Sequence, residues 1–145
     1  MDVDSGQPSR VVTAYLDDTE AELAAFDALV AIGSRFAVFH LEQAAQKLVR
    51  AVRIHRKLVA TSAHDLALLI DGHPGDPSKE PRPLPDGDPW RARMQEHEWL
   101  SKFAIAFKHP SAVRRDQGPA ADELKAAKQK LVEHLALARK ELLDP

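Results

Sequence analysis

FHLEQAAQKLVRAVRIHRK, residues 39–57, and HDLALLI, residues 64–70, frame the reading of the whole chain. At about 100° per residue, Val38, Leu41, Ala45, Leu48 and Val52 recur in steps of three and four. That is the spacing of a helix packed on a core, and it predicts a helix from about Arg35 to Leu58. On the opposite side fall Lys47, Arg50, Arg53 and Lys57, with no acid among them. Such a stripe concentrates positive potential in a chain whose formal net charge is only -2. It predicts a site for an anion, with arginine binding phosphate oxygens in bidentate fashion and lysine acting as a point charge. The plainer reading of the same four residues is a solvated helix face.

Composition narrows the alternatives. A chain of 145 residues suits one domain with a real core. With 44% hydrophobic and 29% charged residues, it has the balance of a globular protein. There is no cysteine, so disulfides and thiolate metal sites are excluded. The opening MDVDSGQPSR is polar and acidic, and no apolar run approaches the roughly 20 residues needed to span a bilayer. The expectation is a cytoplasmic protein with no membrane partner. Near-neutral charge argues against broad coating of nucleic acid, so any anion site should be local.

Working outward, residues 1–9 read as a disordered tail and residues 10–145 as a single helical domain. A first helix is expected from about Arg10 to Ile32, ended by Gly33. Ser62 followed by Asp65 has the form of a capping box, predicting a third helix that stops near Gly72. Residues 72–89 hold six of the ten prolines and three of the six glycines. They can be neither helix interior nor central strand. A connection this long is unusual in a bundle, which predicts a mobile loop or a lid. A helix from Pro89 through Phe107 follows, rich in aromatic residues, and the Lys108, His109, Pro110 turn should end it. The last helix, about Pro119 to Leu143, carries a seam of Leu124, Ala127, Leu131, Leu135, Ala138 and Leu142. The fold class is therefore all-α, an up-and-down bundle of four to five helices.

These residues also carry a resemblance. Phe39 followed by the QAAQK run at 43–47, a second cation one turn on at Arg50, and HDL opening a new segment at His64 resemble the HEPN family of small helical-bundle proteins. The similarity runs roughly from Glu22 to Leu143. Lys108, His109 and Pro110 stand where many members have Arg, Tyr and Pro, so the triplet departs in its first two positions. What the resemblance implies is a HEPN-like bundle, frequent homodimerisation and binding of nucleotide or RNA. It further implies a nucleotidyltransferase partner in a two-component, toxin–antitoxin-like module and, in some branches, a metal-independent endoribonuclease.

Members that cut RNA carry Arg followed after four to six residues by His, a cation to stabilise the phosphorane and an imidazole to move a proton. Arg35 with His40, Arg50 with His55 and Arg91 with His97 have that spacing, but chance alone supplies roughly 1.6 such pairs. No histidine stands at the required distance beyond Lys108. The catalytic candidates are accordingly Lys108, His109, Arg91 and His97, and the nucleotide-binding candidates Lys47, Arg50, Arg53 and Lys57. His64 and Asp65 are read as caps of the third helix. The seven histidines are scattered and no HExxH occurs, so neither a metal site nor a cofactor is expected. Trp90, Trp99, Phe103 and Phe107, with Phe39 flanking them, offer more apolar surface than a short bundle easily hides, which points to a homodimer. Three functions compete: a nucleotide- or RNA-binding partner of a nucleotidyltransferase with little or no catalysis of its own, a ribonuclease toxin, and a non-enzymatic protein-interaction module.

Overall fold

A computed structural model describes residues 7–108 and 120–143, the side chains of 7 and 104–108 excepted. The described residues form six helical segments: α1 Gln7–Ala31, α2 Ala37–His55, α3 Leu66–Asp71, α4 Pro89–Gln95, α5 Trp99–Lys108 and α6 Ala121–Leu143. No strand occurs among them beyond an isolated bridge between His73 and Asp76. The all-α bundle expected from the periodicity is what forms. No described helix is long and apolar enough to cross a membrane.

Helix α2 is the axle of the bundle and touches every other helix. Leu41, Ala44, Ala45, Leu48, Val49, Ala51 and Val52 are all sealed from solvent. They meet Leu16 and Phe26 of α1, Leu69 and Ile70 of α3, Met94 of α4 and Leu131 and Ala138 of α6 in one core. Small residues at 44, 45 and 51 let neighbouring helices approach closely on several sides. Partial exposure on α2 is left to Phe39, His40, Gln43, Lys47 and Ile54.

Several boundaries differ from those the sequence suggests. Helix α1 begins at Gln7, so residues 7–9 open a helix rather than closing a tail, and Pro8 sits in the first turn where its missing N–H costs nothing. Asp65, and not Ser62, caps α3: its carboxylate accepts from the N–H of Ala67 at 3.0 Å, and the helix starts at Leu66. The expected helix from Pro89 to Phe107 is broken at residues 96–98. There His97, Glu98, Leu100 and Ser101 each donate to the carbonyl three residues back, a tight turn that drives His97 inward.

Residues 72–89 are packed rather than detached. Leu84 is fully buried and donates its N–H to the carbonyl of Ile70 at 2.9 Å. Gly72 allows the loop to start: its φ is +74°, and a Cβ there would lie 2.8 Å from Cδ of Pro83. Arg91 reaches back to the carbonyl of Leu84 and to the carboxylate of Asp86. Pro81 and Leu84 are part of the wall, whereas residues 74–80 are exposed.

Helix α2 ends with Lys57 in the left-handed region at φ 62°, while Leu58 donates to the carbonyl of Arg53 at 2.8 Å. Glycine usually takes that position, since a Cβ crowds the carbonyl. Lys57→Gly should therefore raise stability by about 0.5–1 kcal/mol in urea unfolding.

Candidate functional site

The basic stripe of α2 does not face solvent. Arg50 is 7% exposed and Arg53 0%. Arg53 donates from Nε to the carbonyl of Val59 at 2.7 Å, and from Nη1 to those of Leu69 at 2.8 Å and Arg82 at 2.6 Å. Arg50 donates from Nε to Thr61 at 3.0 Å and from Nη2 to Ala63 at 2.8 Å, again to carbonyls. One turn earlier, Gln46 donates to the carbonyl of His64 at 2.6 Å and to Glu42, and Glu42 accepts from Ser101 Oγ at 3.2 Å. Residues 58–65 have no helix or sheet of their own to satisfy their carbonyls. Glu42, Gln46, Arg50 and Arg53, spaced by four, four and three, form a polar seam that does it for them.

Arg50 and Arg53 are thus corrected from ligand-binding to structural residues, which between them donate five hydrogen bonds to backbone carbonyls. Burial lowers both guanidinium pKa values, with nearby acids (Glu42 for Arg50, Glu80 for Arg53) pulling the other way. Lys47 lies on the rim, 3.8 Å from Asp18, and Lys57 is exposed beyond the helix end. The four cations do not converge on a common opening.

The ribonuclease candidates are likewise separated. Arg91 is held by Asp71 at 3.3 Å and by Asp86. His97 is 1% exposed and shares a 2.8 Å hydrogen bond between its Nε2 and Nδ1 of His134. The two rings meet edge to face, and Trp90 and His134 also form a T-shaped pair. Burial, then the neighbouring charges of His134 and Lys130, pushes the His97 pKa down to about 3, so this imidazole is neutral and out of reach of substrate. Nor does His55 pair with Arg50, whose donors are turned to the 58–65 segment; His40 is bound to Glu22 at 2.7 Å. His109 and the side chain of Lys108 lie outside the described residues. No group of three or more metal-ligating side chains occurs among the described residues.

A carboxyl pair occupies the corner of α3, α4 and α5. Burial raises the pKa of Asp71, but Glu98, then Gln95 at 2.8 Å and Arg91, together hold it low. Burial and contact with Asp71 push that of Glu98 up to about 8.

Where cations do converge is a recess of about 540 Å³ lined by Arg56, Pro89, Trp90, Arg93, Lys140, Glu141 and Leu142. It lies where the end of α2, the start of α4 and the last turns of α6 meet. Arg56 is fixed by a two-bond pair with Asp88, Nε to Oδ2 at 2.6 Å and Nη2 to Oδ1 at 3.2 Å. Asp88 also caps α4 by accepting from the N–H of Trp90 at 3.0 Å. Arg93 lies 4.9 Å from the centroid of the Trp90 ring and 3.5 Å from Glu141. Lys140 has no ion pair among the described residues. Comparison with family models, characterised proteins and solved structures gives no match. The site therefore stands on its geometry alone.

Arg56, Arg93 and Lys140 are not among the residues that spacing or motif singles out. Their signal was faint: three cations from three helices, brought together only by the fold. The aromatic surplus read as a dimer interface is largely used inside the chain, with Trp90 2% exposed and Trp99 and Phe103 packed against the core.

Proposed function

We propose that this chain is a ligand-binding helical bundle that holds a nucleotide or RNA segment by its phosphate in the recess of Arg56, Arg93 and Lys140. The carrying observation is that three cations of separate helices line one opening of about 540 Å³, ample for a nucleotide. Two of them are already aimed, Arg56 by Asp88 and Arg93 by the Trp90 face, so little side-chain freedom is lost on binding. The reading is non-catalytic. Of the catalytic candidates, Arg91 is held by Asp71 and His97 by His134 inside the fold. The HEPN resemblance adds a setting in which a nucleotidyltransferase partner supplies the chemistry.

Affinity for a short single-stranded RNA and for adenosine 5′-monophosphate tests this. Arg93→Ala and Lys140→Ala should each weaken binding about tenfold or more, since a charge-assisted hydrogen bond contributes about 1.5–3 kcal/mol. Each should also reduce the salt slope for RNA by about 0.7. Lys47→Ala and Lys57→Ala should bind as the parent does. Full retention of affinity in the Arg93 and Lys140 variants would refute the site.

A further inference from the structure

We infer that anion binding in the recess is coupled to protonation of His134, which shares the Trp90 ring with Arg93. This rests on the phosphate-binding reading above and names a regulation of that site. Trp90 lines the recess and has a neighbour of each kind: the Arg93 guanidinium lies 4.9 Å from its ring centroid, and the His134 ring forms a T-shaped pair with it at 6.3 Å. His134 also stands about two turns before Glu141 on α6, the helix that brings Lys140 to the opening.

The surroundings of His134 have a place for a proton. A neutral imidazole donates from one nitrogen only, whereas the protonated ring would donate from Nδ1 to Nε2 of His97, 2.8 Å away, and turn its Nε2–H to the Glu96 carboxylate, 3.8 Å away. In the anion-free chain that state is disfavoured. Burial opposes it most, Glu96 favours it, Lys130 and then Arg93 oppose it, and Glu133 favours it. An anion beside Arg93 offsets one of the opposing charges, so His134 binds its proton more tightly. By reciprocity, a protonated His134 tightens the recess on its anion by the same factor. His55, next to Arg56, is the other histidine on this side, but it is exposed and screened by water and salt. His134 is 9% exposed, so its charge acts through the protein. For charges about 10 Å apart at an effective dielectric of about 40, the coupling is about half a pH unit, or about threefold in affinity.

The imidazole resonances of the full chain report this directly, in a titration from about pH 7.5 to about pH 5 by NMR. It is run with and without a short oligouridylate lacking terminal phosphates, whose charge is constant over that interval. The midpoint of His134 should rise by about half a unit when the RNA is bound. That of His40, at the opposite end of α2 from Arg56, should not move. Affinity should rise towards about threefold on acidification, and His134→Gln, with helicity checked by circular dichroism, should lose most of that gain. An unmoved His134 midpoint in the RNA-bound chain, or a gain that survives His134→Gln intact, overturns the coupling while the phosphate site stands. If the parent does not bind the oligouridylate at any pH, or Arg93→Ala and Lys140→Ala bind it as the parent does, the phosphate-binding reading itself falls and the inference with it.

Discussion

Arg53→Leu is expected to lower the unfolding free energy by about 3–5 kcal/mol. The substitution removes donors from the carbonyls of Val59, Leu69 and Arg82, three groups in three separate segments. The Leu69 carbonyl is buried and costs about 1–3 kcal/mol when left unpaired, those of Val59 and Arg82 are part-buried and cost less, and the lost packing of a fully buried side chain adds to the sum while relief from burying a cation offsets part of it. Arg53 Nη2 is buried without a partner, so the native arrangement is itself incompletely satisfied. Arg53→Lys should not rescue it, because one ammonium cannot reproduce a planar fork aimed at three acceptors. Chemical unfolding of the two variants beside Lys57→Leu, expected within about 0.5 kcal/mol of the parent, checks this. A parent-like midpoint for Arg53→Leu would mean that the loop and the 58–65 segment do not depend on the seam.

Acid should act on the fold through the buried histidines in a window above the ordinary carboxylate range. His97 ordinarily titrates near 6.5 and is pushed down to about 3 in the folded chain, chiefly by burial; burial lowers His134 as well. Between those values the unfolded chain takes up a proton that the native chain refuses, so the histidine contribution is full above pH 6.5 and falls as pH falls. Each pH unit of that window costs about 1.4 kcal/mol for a single histidine, giving about 2–3 kcal/mol between pH 6.5 and about pH 4.5. Asp71 and Asp88 have lowered pKa values, and their contributions fade only below the ordinary carboxylate range. Glu98, raised to about 8 by burial and Asp71, acts in the opposite direction over the same interval, since there the native chain holds a proton that the unfolded chain lacks. Thermal unfolding therefore reads the histidine contribution as a difference, the double variant His97→Leu, His134→Leu gaining stability relative to the parent as pH falls from 6.5 to about 4.5. An equal slope in both would show that the histidine pair does not govern the response.

What the sequence could disclose was the local periodicity. Leu41, Ala45, Leu48 and Val52 marked the buried face of α2, and Leu131, Leu135, Ala138 and Leu142 that of α6, because helical spacing alone determines those faces. The opposite side of α2 was misread for a physical reason. Charged residues usually face water, and only the presence of an extended segment with unpaired carbonyls turned Arg50 and Arg53 inward. A clue was available in Glu42, Gln46, Arg50 and Arg53, whose four, four, three spacing runs along an otherwise apolar helix into residues 58–65, which have no periodicity. The break at 96–98 was hidden because Glu96, His97 and Glu98 are acceptable helix residues; the pairing of His97 with His134, 37 positions away, takes it out of the helix. Arg56, Arg93 and Lys140 lie far apart in sequence, and no spacing rule joins residues brought together by tertiary packing.

The central claim is the location of the phosphate site, and amide chemical-shift mapping of the uniformly labelled chain during titration with adenosine 5′-monophosphate tests it most directly. The account predicts shifts concentrated around Arg56, Trp90, Arg93, Lys140 and Glu141, with the Trp90 indole N–H among the most affected. Shifts centred instead on Lys47 and Lys57, with the recess unmoved, would contradict it.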